Sequence, residues 1–129
     1  MSRTVEVSEE ARVILTRWYG REILDATPVL RGSLFGWLFG ASGQHAVTIN
    51  RTVHLTRHAP DPDTPAGITL LGHELYHVEQ QIELGWWKFL FRYIVGWRPS
   101  HISNGRGHPM ERPAYERGDE IRRAMQPTG

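Results

Sequence analysis

The chain has 129 residues, enough for one domain with a single modest core. Its 15 basic and 14 acidic residues nearly cancel, and Lys88 is the only lysine, so the clustered basic excess that binds nucleic acid is absent. Because there is no cysteine, disulfides and thiolate sites are excluded, and any transition-metal site has to be built from His, Asp and Glu.

The N-terminus, "MSRTVEVSEEAR", has no apolar run of the signal-peptide kind. The longest uncharged stretch, residues 32–50, holds too many polar residues and glycines to span a bilayer. The expectation is therefore a cytoplasmic protein without a transmembrane segment, with signal-independent export left open. Ser8, followed by Glu9 and Glu10, reads as a helix start, since acidic groups suit the positive end of the helix dipole. With Ala11, Ile14, Leu15 and Trp18 on one face, the helix is predicted to run from Ser8 to Leu24.

From Val29 to Gly43 the pattern "VLRGSLFGWLFGASG" is irregular and predicts a short strand followed by a loop or tight turns. "HAVTINRTVHLT" carries clearer strand signal, because Val47 and Ile49, then Val53 and Leu55, alternate with polar residues. A two-residue turn at Asn50-Arg51 puts those apolar pairs on opposite faces, whereas a three-residue connection from Asn50 to Thr52 keeps them together. A hairpin of the second kind, or a single bulged strand, is predicted.

Thr64-Pro65 reads as an N-cap with proline in the first turn. Ile68, Leu71, Leu75, Val78 and Ile82 then recur at three-and-four spacing up to Gly85, which predicts a long helix ending there. "WWKFLFRYIVGW" predicts a second, shorter helix, with Lys88 and Arg92 on its wet side and Pro99 as its terminator. Trp86, Phe89, Leu90, Tyr93 and Trp97 would complete the core. Its aromatics and two cations also suit contact with a membrane surface. After the loop "SHISNGRGHP" a last helix extends to about Met125.

The chemistry lies in "LLGHELYHVEQ". His73 and His77 are four apart on the long helix, so their rings share one face and reach a single ion. Two residues advance a helix by about 200°, so each histidine turns away from Leu71 and Leu75, which bury. Glu74 is the carboxylate that takes the proton of an activated water in such a site. Two histidines leave a catalytic zinc one protein ligand short. The metzincin pattern would need glycine at 80 and histidine at 83, where this chain has Gln80 and Glu83. On the last helix, Glu111 heads an apolar face formed by Ala114, Tyr115, Gly118, Ile121 and Met125. A carboxylate there needs a partner, and a metal is one. Glu116, Asp119 and Glu120 share the opposite face with Arg112 and Arg123, at ion-pair spacings. Pro113 is comfortable only in a first turn, which puts Glu111 at the start of the helix and keeps Glu116 as the alternative ligand.

These residues carry a resemblance. "LLGHELYHVEQQIELGWWKFLFRYI" followed by "HPMERPAYE" resembles the small bacterial HExxH domains of the gluzincin type, including the minigluzincins and the domain associated with extracellular contractile injection systems. The similarity extends upstream to "AVTINRTVHL". It implies an α+β, zincin-like single domain over residues 1–129: a backing helix, a small sheet, an active-site helix and a glutamate helix. It also implies a zinc metallopeptidase acting on a peptide or protein substrate, with His73, His77 and Glu111 as zinc ligands and Glu74 as general base. Tyr115, His108 and His101 are candidate oxyanion donors by position. The competing reading is a zinc-containing module without turnover that acts through a protein partner.

Overall fold

The computed structural model describes residues 3–96 and 107–126. In chain order these form β1 (Arg3–Thr4), α1 (Glu9–Leu15), α2 (Arg21–Ala26), β2 (Val29–Arg31), α3 (Leu34–Ala41), β3 (Ala46–Ile49), β4 (Thr52–Leu55), α4 (Pro65–Leu84), α5 (Trp86–Gly96) and α6 (Arg112–Met125). The architecture is α+β. Its mixed sheet has the order β1-β2-β4-β3, with β2 and β4 parallel and the outer pairs antiparallel. No helix among the described residues is long and apolar enough to cross a membrane.

The centre of the molecule is α4. The Thr64 hydroxyl accepts the Gly67 N–H at 3.1 Å, Pro65 fills the first turn, and Gly85 ends the helix at φ 80°. Ile68, Leu71, Leu75 and Val78 are buried against Leu15 of α1, Val29 of β2, Val53 and Leu55 of β4 and Ile121 of α6. A Cβ on Gly72 would lie 2.1 Å from Ile121 Cδ1, so the tip of that buried side chain fills the space beside the glycine where α6 packs on α4.

Three expectations are corrected. The single helix predicted from Ser8 to Leu24 is two helices. Thr16 turns its hydroxyl back to the Val13 carbonyl, and Gly20, with ψ 149°, starts α2 afresh. The break brings buried Tyr19 to donate its hydroxyl to the Gly72 carbonyl at 2.5 Å. The loop predicted after β2 contains α3, capped by the Ser33 hydroxyl. α3 packs through its glycines, since a Cβ on Gly36 would stand 2.6 Å from the Leu55 carbonyl oxygen.

The hairpin uses the two-residue turn, with Asn50 and Arg51 both at positive φ (46° and 66°) and Ile49 opposite Thr52. The apolar pairs do fall on opposite faces, but both faces are covered. Val53 and Leu55 face α4, while His54 faces α3, where its Nδ1 lies 2.7 Å from the Ser33 hydroxyl and its ring meets Phe35 edge-on. Burial lowers the pKa of His54 and so favours its neutral form.

On the inner face of α5, Phe89 is buried and Trp86, Leu90 and Tyr93 are half-buried, and Phe89 packs beside His77, Trp86 and Tyr93 rather than in the main core. Its outer face carries Trp87, Phe91, Ile94 and Val95, all exposed, beside Lys88 and Arg92. Trp97, Pro99 and His101 lie outside the described residues.

Candidate metal centre

His73 and His77 project from α4 opposite its buried leucines, and Glu111 meets them from the N-cap position of α6. Glu111 Oε1 lies 3.0 Å from His73 Nε2 and 2.7 Å from His77 Nε2. One donor atom from each residue falls within 4.8 Å of the other two, so the three can hold a single metal ion. Glu116, the alternative ligand, is exposed and faces Arg112 at 3.5 Å. Asp119 faces Arg122 at 3.4 Å, and Glu120 accepts from the Trp18 indole N–H.

Hydrogen-bond directions decide what the cluster offers. The Gln80 Nε2 group donates to the Met110 carbonyl at 3.0 Å, so its Oε1 must be the atom facing His77 Nδ1 at 2.8 Å. His77 therefore carries hydrogen on Nδ1, and its Nε2 faces Glu111. The Tyr93 hydroxyl donates to Glu111 Oε2 at 2.5 Å. What remains at the centre is the nitrogen of each imidazole and Glu111 Oε1. A proton on each Nε2, donated to Glu111 Oε1, satisfies this arrangement, and so does a cation bound by nitrogen and oxygen donors.

The electrostatics agree. Burial alone would depress His77, yet the hydrogen bond and charge of Glu111 outweigh it and push the pKa up to about 9. Burial would raise Glu111, but both histidines hold its carboxyl well below the usual carboxylate range. Burial, followed by the Glu111 charge, pushes the Tyr93 hydroxyl far above its ordinary value and keeps it a donor.

Glu74 is 5% exposed, so its carboxylate needs a partner. The Thr48 hydroxyl on β3 donates to its Oε2 at 2.5 Å. Fully buried Gln81 fixes that strand by donating to the Thr48 carbonyl and accepting the Arg51 N–H at 2.6 Å. The negative charge of Glu74 adds a lesser contribution to the raised pKa of His77 and of Tyr93, after burial and Glu111.

The candidate donors differ in placement. The Tyr115 ring lies edge-on to His73 at 4.5 Å between centroids. His108 is fully buried: its Nδ1 accepts the Met110 N–H at 2.9 Å, and its Nε2 faces the Tyr93 carbonyl at 2.7 Å. Sequence reasoning missed Thr48, Gln80 and Tyr93 as partners of the cluster. Gln80 was detectable, since it lies three residues past His77 on the same helix. Thr48 and Tyr93 reach the cluster only through the tertiary fold.

No curated protein and no solved structure matches this chain. The profile of the eCIS core domain matches residues 6–85, well over half of it. The matched segment contains β2 to β4 and all of α4, hence Thr48, His73, Glu74 and His77, and stops short of Glu111. The fold built around the HExxH helix is thus the part this protein shares with its relatives, and the chain belongs to the eCIS core domain family.

Proposed function

We propose that the chain is a zinc-dependent metallopeptidase of the gluzincin type, within the setting of an extracellular contractile injection system that its family description suggests. The observation that carries this reading is the convergence of three nitrogen and oxygen donors beside a buried, anchored carboxylate. A purely structural zinc closes its coordination with protein ligands and has no use for a neighbouring base.

His73, His77 and Glu111 would hold the ion. When bound, zinc supplies Lewis acidity, acidifying water and polarising a carbonyl. Glu74 takes the proton of the attacking water on Oε1, because Thr48 holds Oε2. The same carboxyl then returns that proton to the leaving amine. The strand order puts β3 at a sheet edge, and the Thr48 contact sets that edge beside Glu74. An extended peptide added along β3 by main-chain hydrogen bonds would pass the site.

A second reading, a metal-holding module that acts through a protein partner, is favoured by one observation. Leu34, Trp37 and Leu38 on α3, and Trp87, Phe91 and Ile94 on α5, are each more than half exposed. Apolar surface of this kind marks interaction sites.

Elemental analysis of the purified protein, combined with peptide-library cleavage by wild type and Glu74→Gln, separates the two. The peptidase reading expects zinc in both proteins and cleavage by wild type alone. Zinc in both with cleavage in neither would overturn it.

A further inference from the structure

Glu111 is held in an unusual way. It occupies the N-cap position of α6 with helical φ and ψ, and its side chain caps no backbone N–H. Its own helix therefore does not fix the carboxylate. What fixes it is the Tyr93 hydroxyl from α5, which takes Oε2 and leaves Oε1 nearest both histidines. On the other side of the cluster, Gln80 decides which nitrogen of His77 carries hydrogen. A free imidazole exchanges between two tautomers, and only the Nδ1–H form presents Nε2 as a lone pair.

The two controls are joined. Gln80 donates to the Met110 carbonyl, the Met110 N–H donates to His108 Nδ1, and His108 Nε2–H donates to the Tyr93 carbonyl. His108 is thereby the neutral Nε2–H tautomer, with each ring nitrogen engaged by backbone. A chain of hydrogen bonds links His77 through Gln80, Met110, His108 and Tyr93 to Glu111, whose Oε1 in turn faces His77 Nε2. It ties α4, α5 and the start of α6 together around the donors.

We infer that Gln80 and Tyr93 are positioning residues for the metal, which fix the lone pairs that His77 and Glu111 present, with His108 bracing the two against each other. This rests on the proposed metal centre. Partners that orient ligands in this way typically contribute about 10–100-fold in metal affinity.

The test uses the full chain as wild type, Gln80→Leu, Gln80→Glu and Tyr93→Phe. Zinc affinity is read by competition with a chromophoric chelator, geometry by visible absorption of the cobalt(II) form, and folding by circular dichroism. Gln80→Leu and Tyr93→Phe are each expected to weaken zinc binding by about 10–100-fold. Tyr93→Phe should also shift the cobalt bands, because the Glu111 carboxylate is freed to turn. Gln80→Glu should recover part of the loss, since its carboxylate accepts the Nδ1–H of His77 without donating to Met110. It also decides the matter if Gln80→Leu fails to fold. Wild-type zinc binding with unchanged affinity and cobalt spectra in the variants overturns the inference alone. A wild type that binds neither metal overturns the metal centre with it.

Discussion

The two sides of the candidate centre are built by different means. On α4, periodicity does the work. A helix of 20 residues, capped by Thr64 and ended by Gly85, buries its leucines, and His73 and His77 have no other direction in which to point. At the start of α6, periodicity does nothing for Glu111, which precedes the first helical turn and is aimed by side chains from α4 and α5. A donor whose direction is set by helix phase keeps that direction when the packing beneath it changes, and only its tautomer rests on a neighbour, Gln80. A ligand set by tertiary hydrogen bonds depends on every group in the chain of contacts.

The comparison breaks hardest at Glu111 itself. Glu111→Ala is expected to cost more than about 100-fold in zinc affinity, beyond what loss of an orienting partner costs, while far-UV circular dichroism shows α6 intact. Glu116→Ala in the same assay should leave zinc binding unchanged, and zinc loss there instead would move the third ligand. On the α4 side, Leu75→Ala removes a residue that is 4% exposed and should cost about 2–5 kcal/mol of folding stability in urea. Its effect on zinc affinity in the folded protein should be slight, since helix phase is kept.

In the metal-free protein the coupling should appear as a pH dependence. His77 is raised from 6.5 to about 9 in the folded chain by Glu111. A raised value means that the contribution is full below about pH 6.5 and is lost as pH rises through about 9, for a decline of up to roughly 3 kcal/mol. Urea midpoints of the metal-free protein should fall across that window, and the fall should vanish in Glu111→Ala. The smallest effect belongs to the cap. Thr64→Ala leaves the Gly67 N–H without its acceptor and should cost about 1 kcal/mol, with no change in zinc affinity.

What was legible in the sequence followows the same division. The limits of α4, the outward phase of the two histidines, and Glu111 at the helix start before Pro113 were all readable, because caps, prolines and three-and-four spacing are local signals. The break at Gly20 was not. Ala11, Ile14, Leu15 and Trp18 carry the helical spacing up to it, and the contact that the break allows, the Tyr19 hydroxyl on the Gly72 carbonyl, joins residues 53 apart in the chain. α3 escaped notice because its buried face is made of Gly36 and Gly40 while its apolar residues point outward, the reverse of the usual pattern. The hairpin register was misjudged because a sheet with one dry face was assumed, and α3 covers the second. Thr48 looked like the polar half of an alternating strand, and the structure turns it inward to hold Glu74.

The donors lie on both sides of α5, with 34 residues separating His77 from Glu111 along the chain. An ion shared by those two residues is a reversible crosslink that closes a loop containing all of α5. In the unfolded chain such a closure removes conformational freedom, and the loss grows only slowly with loop length. Occupancy of the site should therefore matter most to the segment between the ligands. Amide exchange in α5 should slow on zinc addition more than exchange in the sheet, whose strands all precede the loop.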